Sequence, residues 1–325
     1  MPQANQARRF VIAADPDRAP EGLARGVFAI GNFDGAHLGH RAVISRTREL
    51  AVELGAPGAV LTFEPHPADF FAGAPVVFRL TPKAAKARAL EEFGLDGAVI
   101  LTFDAGLADL TAEEFVRDVL VERLGVAAVV IGSDFHFGKR RGGSPAFMQE
   151  AGARYGFRVE VIAKIEAAEG AQTRAVSSTA IRLALEAGDV EAASRFLGRD
   201  YTVTGVVIPG RKLGRTLGFP TANIALDPAN RLAHGVYAVR VFVDGARFDG
   251  VASFGTRPTV DDGPPLLETF LFGFAGDLYG RTIEVAFVRR IRGERKFDSL
   301  EALVAEMTRD KEKAQAILAG REGLG

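Results

Sequence analysis

The sequence of 325 residues lacks cysteine and tryptophan, and neither sign of charge dominates it. The absence of cysteine excludes disulfides, thiolate metal sites, iron–sulfur clusters and a cysteine nucleophile. Forty basic residues against 41 acidic ones give a net charge of −1, which argues against a general nucleic-acid-coating protein. No apolar run approaches the roughly 18 residues of a membrane span, and the polar first ten residues lack an apolar signal core. We therefore expect a cytoplasmic protein without a nucleic-acid or membrane partner.

Glycine is abundant, with 37 residues, although 47% hydrophobic and 25% charged residues are ordinary values for a globular protein. Eleven of these glycines fall in the segments 31–40, 132–143 and 205–218. A residue without a side chain lets the backbone approach a ligand closely, so these segments are candidate phosphate-binding loops. At roughly 100–200 residues per domain, the length predicts two domains.

The first part of the chain alternates short apolar strands with amphipathic helical stretches, the clearest of which is 40–54. This rhythm predicts an α/β domain with a parallel sheet covered by helices on both faces. We place it at residues 1–190. The predicted strands are 27–30, 59–63, 98–101, 127–131 and 158–162.

After a helix-rich segment at 177–198, strand-like runs follow one another without helices between them. Asp244-Gly245 between two of these runs indicates a hairpin. The apolar stripe from Leu300 to Leu318 predicts a final helix. We therefore expect residues 191–325 to form a small antiparallel β-barrel domain with a C-terminal helix. The predicted strands are 203–208, 236–243, 248–254, 268–274 and 283–288.

The first segment with a chemical pattern, Ile30 to His40, follows a predicted strand and opens a helix. In a parallel sheet this position is at the carboxyl end of a strand, where ligands bind. Helix N-terminal amides favour an anion, and His37 and His40 can point to the same side. The pair suits stabilisation of charge on a phosphate during transfer. The spacing of the glycines fits neither a phosphate loop ending in Gly-Lys-Ser/Thr nor the G-x-G-x-x-G fingerprint. The alternative to a phosphate-binding segment is a tight turn with two incidental histidines.

A second glycine-punctuated segment, 206–223, is basic and ends in Pro-Thr-Ala-Asn. Its amides and cations could cover phosphates, and the oxygens of Thr221 and Asn223 are ligands that suit Mg²⁺. A flexible solvated loop is the alternative interpretation.

The Gly-Asn-Phe-Asp-Gly-x-His-x-Gly-His segment resembles the HxGH nucleotidyltransferases, specifically the FMN adenylyltransferase half of bacterial bifunctional riboflavin kinase/FAD synthetases. The segments 62–67, 132–139 and 177–182 resemble the same half. The segment 206–223 resembles the riboflavin kinase signature, and runs at 235–237, 250–259, 267–270 and 277–280 follow in the order that this family has. Taken singly, 62–67 could be only a rigid turn, His136 a surface histidine, and Ser178 or Thr179 a helix cap.

The resemblance implies that the first domain transfers AMP from ATP to FMN, giving FAD and pyrophosphate. His37 and His40 would be catalytic. ATP would be bound by Gly31, Asn32, Phe33, Asp34, Gly35, Ser178, Thr179 and Arg182, while His66 and Asp134 would contact the flavin or its phosphate.

The same resemblance implies that the second domain phosphorylates riboflavin with ATP. Glu268 matches the family's proposed general base, and Thr221 and Asn223 would hold Mg²⁺. ATP would contact Gly210, Lys212, Gly214 and Gly218. The implied ligands are thus ATP, riboflavin, FMN, FAD and Mg²⁺. Two rival interpretations are less favoured. An HxGH transferase acting on a different nucleotide precursor would not need the segment 206–223 and the barrel. A catalytically silent flavin-binding protein would have no need to keep His37, His40, Thr221, Asn223 and Glu268. One or two of the basic residues at 289–296 could also contact flavin.

Overall fold

In a computed structural model, the structure describes residues 10–81, 86, 90–169, 172–210, 214, 217–255 and 265–320. The chain separates into two compact units that part between Ser178 and Thr179. The boundary at 190/191 expected from the sequence lies twelve residues further along and stays a prediction.

The first unit contains a six-stranded sheet, and all of its neighbouring strands pair in parallel, in the order β1-β4-β3-β2-β5-β6. A two-stranded antiparallel hairpin, β7–β8, follows it. The strands are β1 Val11–Ala14, β2 Val27–Ile30, β3 Gly58–Glu64, β4 Gly97–Thr102, β5 Ala128–Gly132, β6 Arg158–Ile162, β7 Glu166–Glu169 and β8 Gln172–Ala175.

Helices cover both faces of this sheet, as the apolar runs predict. Every residue of β2 is buried, and its alternate side chains enter two separate cores. Phe28 and Ile30 pack in one core with Phe115, whereas Val27 and Ala29 pack in the other. The helices are α1 Leu38–Leu54, α2 Pro67–Ala72, α3 Ala105–Asp109, α4 Ala112–Glu114 with a π-helical continuation Phe115–Arg123, and α5 Pro145–Tyr155.

The second unit begins with two helices, α6 Ser178–Ala187 (whose first residue belongs to the first unit) and α7 Val190–Leu197. They are separated at Gly188, and Gly198 ends α7; both glycines have positive φ, of +80° and +70°. Such a backbone conformation suits glycine at a helix end. The helix-rich segment predicted at 177–198 is therefore confirmed, and it consists of two helices.

A six-stranded antiparallel sheet follows, in the order β10-β13-β12-β11-β14-β9. A bridge between Ile208 and Asn223 connects the segment after β9 to β10, so the two edges of the sheet meet and the predicted barrel architecture is confirmed. Gly205 allows this closure, because a Cβ there would lie 2.0 Å from Ile224 Cγ2. The strands are β9 Tyr201–Val206, β10 Ala222–Ala225, β11 Gly235–Val243, β12 Ala246–Gly255, β13 Leu266–Leu271 and β14 Thr282–Arg292.

The final helix, α8 Leu300–Ala319, packs on the outside of the barrel through Ala314 and Leu318, which contact Ala238 and Val288. Within the described residues, no helix combines the length and the apolar composition needed to cross a membrane.

Candidate active sites

The loops after β2, β3 and β5 leave neighbouring strands at one edge of the first unit's sheet. β2 pairs with both β3 and β5. Gly31 N donates to Leu61 O of β3 at 3.1 Å, and Thr62 Oγ1 donates to Asn32 O at 3.3 Å. The parallel arrangement therefore joins the two loops that the sequence motifs identify.

His37 and His40 form a stacked pair at the start of α1. Their ring centroids are 3.6 Å apart and the rings are inclined by 15°. His37 is the N-cap of α1, and its Nδ1 accepts a hydrogen bond from His40 N at 3.2 Å. Because Nδ1 accepts, a neutral His37 carries its proton on Nε2 and can donate it to an anion.

Gly39 provides the space for this stacking. A Cβ at this position would lie 3.1 Å from His37 Cε1 and 3.2 Å from its Nδ1. Any side chain would therefore press on the cap histidine, which is a physical reason for glycine between the two histidines.

The Asp34 side chain stabilises the loop between β2 and α1 through buried hydrogen bonds. Its side chain is buried and accepts hydrogen bonds from Leu80 N at 3.0 Å and Thr81 N at 2.9 Å. Gly35 N donates to Thr81 Oγ1 at 3.1 Å, and Ser178 Oγ donates to Asp34 O at 2.9 Å. The Asp34 carboxylate thus holds the segment 80–81 against the glycine loop.

The ring of Phe33 is also internal, since it packs in the core with Val27 and Val43. Its backbone has a φ of +51°, and its ring lies 3.3 Å from the position of a Cβ on Gly31. Phe33 therefore anchors the loop, and its backbone is the part available for a ligand.

His66 is the N-cap of α2 and lies two residues after β3, and its Nδ1 accepts from Ala68 N at 3.1 Å. Its Nε2 lies 3.5 Å from Asn32 Nδ2. Two of the candidate ligand-binding residues, from different loops, are therefore in contact.

A buried charge cluster that the motifs do not identify lies beside these loops. Glu64, the last residue of β3, pairs with Lys86 Nζ at 3.4 Å and with an Arg79 nitrogen at 3.2 Å. Arg79 also pairs with Asp69 at 3.1 Å. Burial lowers the pKa of Lys86, while the Glu64 carboxylate opposes this effect. The signal in the sequence is weak, because an isolated lysine in a helical stretch is usually solvated.

Asp134 lies in the loop after β5 and is exposed. Its carboxylate pairs with Lys164 at 3.5 Å, and its carbonyl contacts His136 Nδ1 at 2.9 Å. Thr179 and Arg182 lie on α6, in the second unit. Their role in ATP binding, like that of Asp134 in flavin binding, stays a prediction.

In the second unit, Glu268 is paired across the sheet with two neighbours. It lies opposite Asn223 of β10 on one side and Ser253 of β12 on the other. Its neighbours Leu267 and Thr269 face the barrel interior, so Glu268 and its partners share the outer face. Directly paired side chains lie roughly 5 Å apart, and the candidate base and a candidate Mg²⁺ ligand are therefore adjacent.

The glycine-rich segment folds against these residues. Gly210 lies so close to Asn223 that a Cβ would be 2.2 Å from its Nδ2. A Cβ on Gly214 would be 2.3 Å from Phe219 O and 3.5 Å from Thr221 Oγ1. The missing side chains of Gly210 and Gly214 thus admit neighbouring protein atoms, and contact of these glycines with ATP stays a prediction. Gly218 has a φ of +83°, and Lys212 lies outside the described residues.

Most of the basic residues near the end of β14 form ion pairs or hydrogen bonds with other residues of the second unit. Arg289 pairs with Glu191 at 2.7 Å, and Arg290 donates to His234 O at 2.7 Å. Arg292 makes a two-pronged contact with the buried Asp310 of α8, with its shortest distance at 2.7 Å. These residues therefore brace helices against the barrel.

Two family models match the chain in succession: FAD synthetase over residues 20–180 and riboflavin kinase over residues 197–318. They coincide with the parallel-sheet unit and with the barrel.

Known proteins resemble the chain over most of its length. A bifunctional riboflavin kinase/FMN adenylyltransferase of Pseudomonas fluorescens is 45% identical over 90% of this chain and 93% of its own. The protein of the same description from Escherichia coli K12 is 41% identical over 88% of this chain and 90% of its own. A crystal structure from Streptococcus pneumoniae, described as a macrolide-efflux protein, matches with a TM-score of 0.79 and 29% identity. That match covers 93% of this chain and 98% of the other.

Proposed function

The chain belongs to the family of bifunctional riboflavin kinases/FMN adenylyltransferases, and we propose that it converts riboflavin to FAD in two ATP-dependent steps. The observation that carries this proposal is that each unit assembles its own signature. The stacked His37–His40 pair lies at the start of α1, and Asn223 lies beside Glu268 across the barrel strands. We assign FMN adenylyltransfer to a domain 1–190 and riboflavin phosphorylation to a domain 191–325.

In the kinase step, Glu268 accepts the proton of the riboflavin 5′-hydroxyl as that oxygen attacks the γ-phosphorus of ATP and ADP leaves. A carboxylate on a strand is held by its cross-strand neighbours, so it needs little reorganisation before the reaction. Gly210, Lys212, Gly214 and Gly218 contribute to the ATP-phosphate cover.

Thr221 and Asn223 fit a magnesium ion, because a hydroxyl and an amide oxygen are hard donors that suit this ion together with phosphate oxygens. Within the described residues, no cluster of three His, Cys, Asp or Glu side chains could hold a metal ion. When bound, Mg²⁺ neutralises charge on the ATP phosphates. The buried position of Asn223, next to Gly210, orients its amide.

In the adenylyltransfer step, an oxygen of the FMN phosphate attacks the α-phosphorus of ATP, and pyrophosphate leaves. No covalent bond to the protein is needed. His37 donates from Nε2 to the phosphate charge, and the first amides of α1 add further donors. The ATP-binding set comprises the backbone of Gly31, Phe33, Asp34 and Gly35, and the side chains of Asn32, Ser178, Thr179 and Arg182. His66 and Asp134 contact FMN. We assign the enzyme to the cytoplasm, because both proposed steps consume ATP.

A flavin assay tests the proposal as a whole. The protein is incubated with riboflavin, ATP and Mg²⁺, and the flavins are separated by chromatography. We expect FMN followed by FAD. Absence of both products would overturn the enzymatic proposal, and FMN without FAD would overturn the bifunctional one.

Two variants test the division of labour. Glu268→Gln should lower FMN formation by about 100-fold or more, because the general base is lost, while FAD formation from supplied FMN stays. His37→Asn retains a side chain that can cap α1 but removes the imidazole donor, and should lower FAD formation by about 100-fold with the kinase intact. Loss of both activities in one folded variant would contradict the assignment.

A further inference from the structure

A cationic turn, Lys139–Arg141, forms the tip of the loop that follows β5. The loop is closed at its base by backbone hydrogen bonds from Phe137 N to Gly143 O at 3.2 Å and from Gly143 N to Phe137 O at 2.9 Å. The tip is therefore a defined hairpin that presents three consecutive cations.

The two arginines adopt a backbone conformation that residues with side chains disfavour. Arg140 has φ and ψ of +54° and +26°, and Arg141 has a φ of +58°. Glycine would occupy this region without the steric conflict at Cβ. Strain of this kind persists where the surroundings impose it, and it is often found at ligand-binding sites.

The charges of the two arginines are also uncompensated. Lys139 pairs with Asp109 at 2.8 Å. In the part of the chain that the structure describes, neither Arg140 nor Arg141 has an ion-pair or hydrogen-bond partner for its guanidinium group, and both side chains are exposed. The two guanidinium groups therefore form a positively charged tip that can attract an anion.

The tip of the loop lies against the chain segment that follows β4. The tip is anchored to the segment after β4, since Lys139 N donates to Leu110 O at 2.6 Å. Gly138 packs on the same segment, because a Cβ there would lie 2.6 Å from Ala112 N. In the sheet order β4-β3-β2-β5, β4 and β5 flank the strands that carry the His66 and His37 loops. The tip thus joins the chain segments that follow β4 and β5, the two strands on either side of β3 and β2.

We propose that Arg140 and Arg141 bind the 5′-phosphate of FMN and thereby distinguish FMN from unphosphorylated riboflavin at this site. Guanidinium groups bind phosphate through paired hydrogen bonds. The His37 loop and α1 serve the ATP phosphates in the proposed reaction, whereas the β5 loop also carries Asp134, which is assigned to the flavin. The inference rests on the proposed adenylyltransfer, but flavin binding can be measured without it.

The first test uses the double variant Arg140→Gln/Arg141→Gln in the full chain. The KM for FMN should rise by about tenfold or more, as expected for loss of charge-assisted hydrogen bonds, and the KM for ATP should change less than about twofold. Arg25→Gln is the matched control, because Arg25 is an exposed arginine with a φ of +52° that lies before β2, at the opposite end of the strands. It should alter neither KM, and kinase activity should be normal in both variants.

Titration of the fluorescence of FMN and of riboflavin with the protein measures binding separately from turnover. The kinase site is the same in the wild-type protein and in the double variant, so the difference between them reports the adenylyltransferase site. The wild-type protein should prefer FMN, and the double variant should lose that preference. A rise in the KM for ATP alone would assign the arginines to the nucleotide and overturn the proposal, as would unchanged constants for FMN. Absence of FAD formation by the wild-type protein would instead contradict the proposed function.

A glycine substitution distinguishes ligand binding from a structural role. Arg140→Gly should relieve the backbone conflict and raise the unfolding midpoint by about 2 °C, while the KM for FMN rises. Arg25→Gly should raise the midpoint without changing the KM. If Arg140→Gly improved stability and left FMN binding unaltered, the arginine would have no part in phosphate recognition.

Discussion

Lys86 is an ammonium group almost wholly removed from solvent, with 6% of its surface exposed. It pairs with Glu64, which also contacts Arg79. A buried ion pair gives little net stability, but removing one partner leaves an uncompensated charge in a poorly solvated place. The cluster lies between β3 and α2, and so it supports the turn that carries His66.

Replacing Glu64 with glutamine should lower the free energy of unfolding by about 3 kcal/mol at neutral pH, because the buried Lys86 ammonium loses its carboxylate. Urea denaturation measures this change. Arg154→Gln is a suitable control, since Arg154 is 56% exposed in its pair with Glu113, and it should cost less than about 1 kcal/mol. Equal effects of both substitutions would show that burial of the lysine does not matter.

The pH dependence has a definite sign. Burial lowers the pKa of Lys86 below its ordinary value of 10.5, so the folded protein releases this proton at a lower pH than the unfolded chain does. Between the two pKa values the unfolded state binds more protons, and the stability of the wild type rises with pH. This gain in the free energy of unfolding is complete above the pKa that Lys86 has in the unfolded chain. It is lost as the pH falls through the pKa that Lys86 has in the folded protein. Comparison of wild-type and Lys86→Met denaturation from pH 8 to pH 10.5 should show this slope in the difference.

At the scale of elements, α8 is held on the barrel by ion pairs with Arg292 as well as by its apolar face. Asp310 is only 3% exposed and accepts two bonds from Arg292 of β14. The nearby Glu306 is buried as well and lies 3.7 Å from Arg292. Lys311 of the same helix lies over the ring of Phe270, the second residue after Glu268. The packing of α8 therefore contacts β13, the strand that carries Glu268.

Arg292→Met should destabilise the barrel by about 3 kcal/mol, because two buried carboxylates lose a shared cation. Kinase activity should fall with it at elevated temperature, while FAD formation from FMN persists. Arg309→Gln removes an exposed partner of Glu306 and should have a small effect. Thermal inactivation of the two activities, followed in one sample, measures the difference. Parallel loss of both activities in Arg292→Met would contradict a local role for this pair.

The elements with strong periodicity were predictable, whereas the weak ones were not. Strands β2 and β6 have the predicted bounds, and the hairpin at Asp244-Gly245 is present, with φ values of +48° and +83°. The missed strands β1, β7, β8 and β10 have only four residues each. Strand β2 is equally short, but all of its residues are apolar and buried, whereas β7, β8 and β10 contain polar residues. The missed runs become strands because a neighbouring strand satisfies their backbone groups.

At the scale of the whole molecule, the second unit includes two helices that precede the barrel. Phe196 and Leu197 of α7 are buried, Glu191 pairs with Arg289, and Leu185 O of α6 accepts from Ala233 N at 2.9 Å. The riboflavin kinase family model begins only at residue 197. The helices thus belong to the packing of this unit although that family model starts after them.

Three fragments locate the functional boundary. A fragment of residues 179–325 should fold cooperatively and phosphorylate riboflavin. A fragment starting at 191 should keep most of the stability, since it retains all of α7 except Val190. One starting at 199 loses Phe196 and Leu197 and should be less stable by about 4 kcal/mol, given roughly 2 kcal/mol for each buried side chain. Equal denaturation midpoints for the first and the last fragment would show that α6 and α7 are not part of the kinase domain.

The sequence by itself determined the two-domain organisation, the family and the residues that carry its signatures, because motif spacing and hydrophobic periodicity are local properties of the chain. Only the tertiary structure decided what those residues contact. It placed the Phe33 ring in the core and the Asp34 carboxylate on the backbone of Leu80 and Thr81. It also formed the Lys86 cluster and drew Asn223 beside Glu268. The physical reason is that burial, charge pairing and strand register join residues distant in the chain, and these depend on packing that local patterns do not encode.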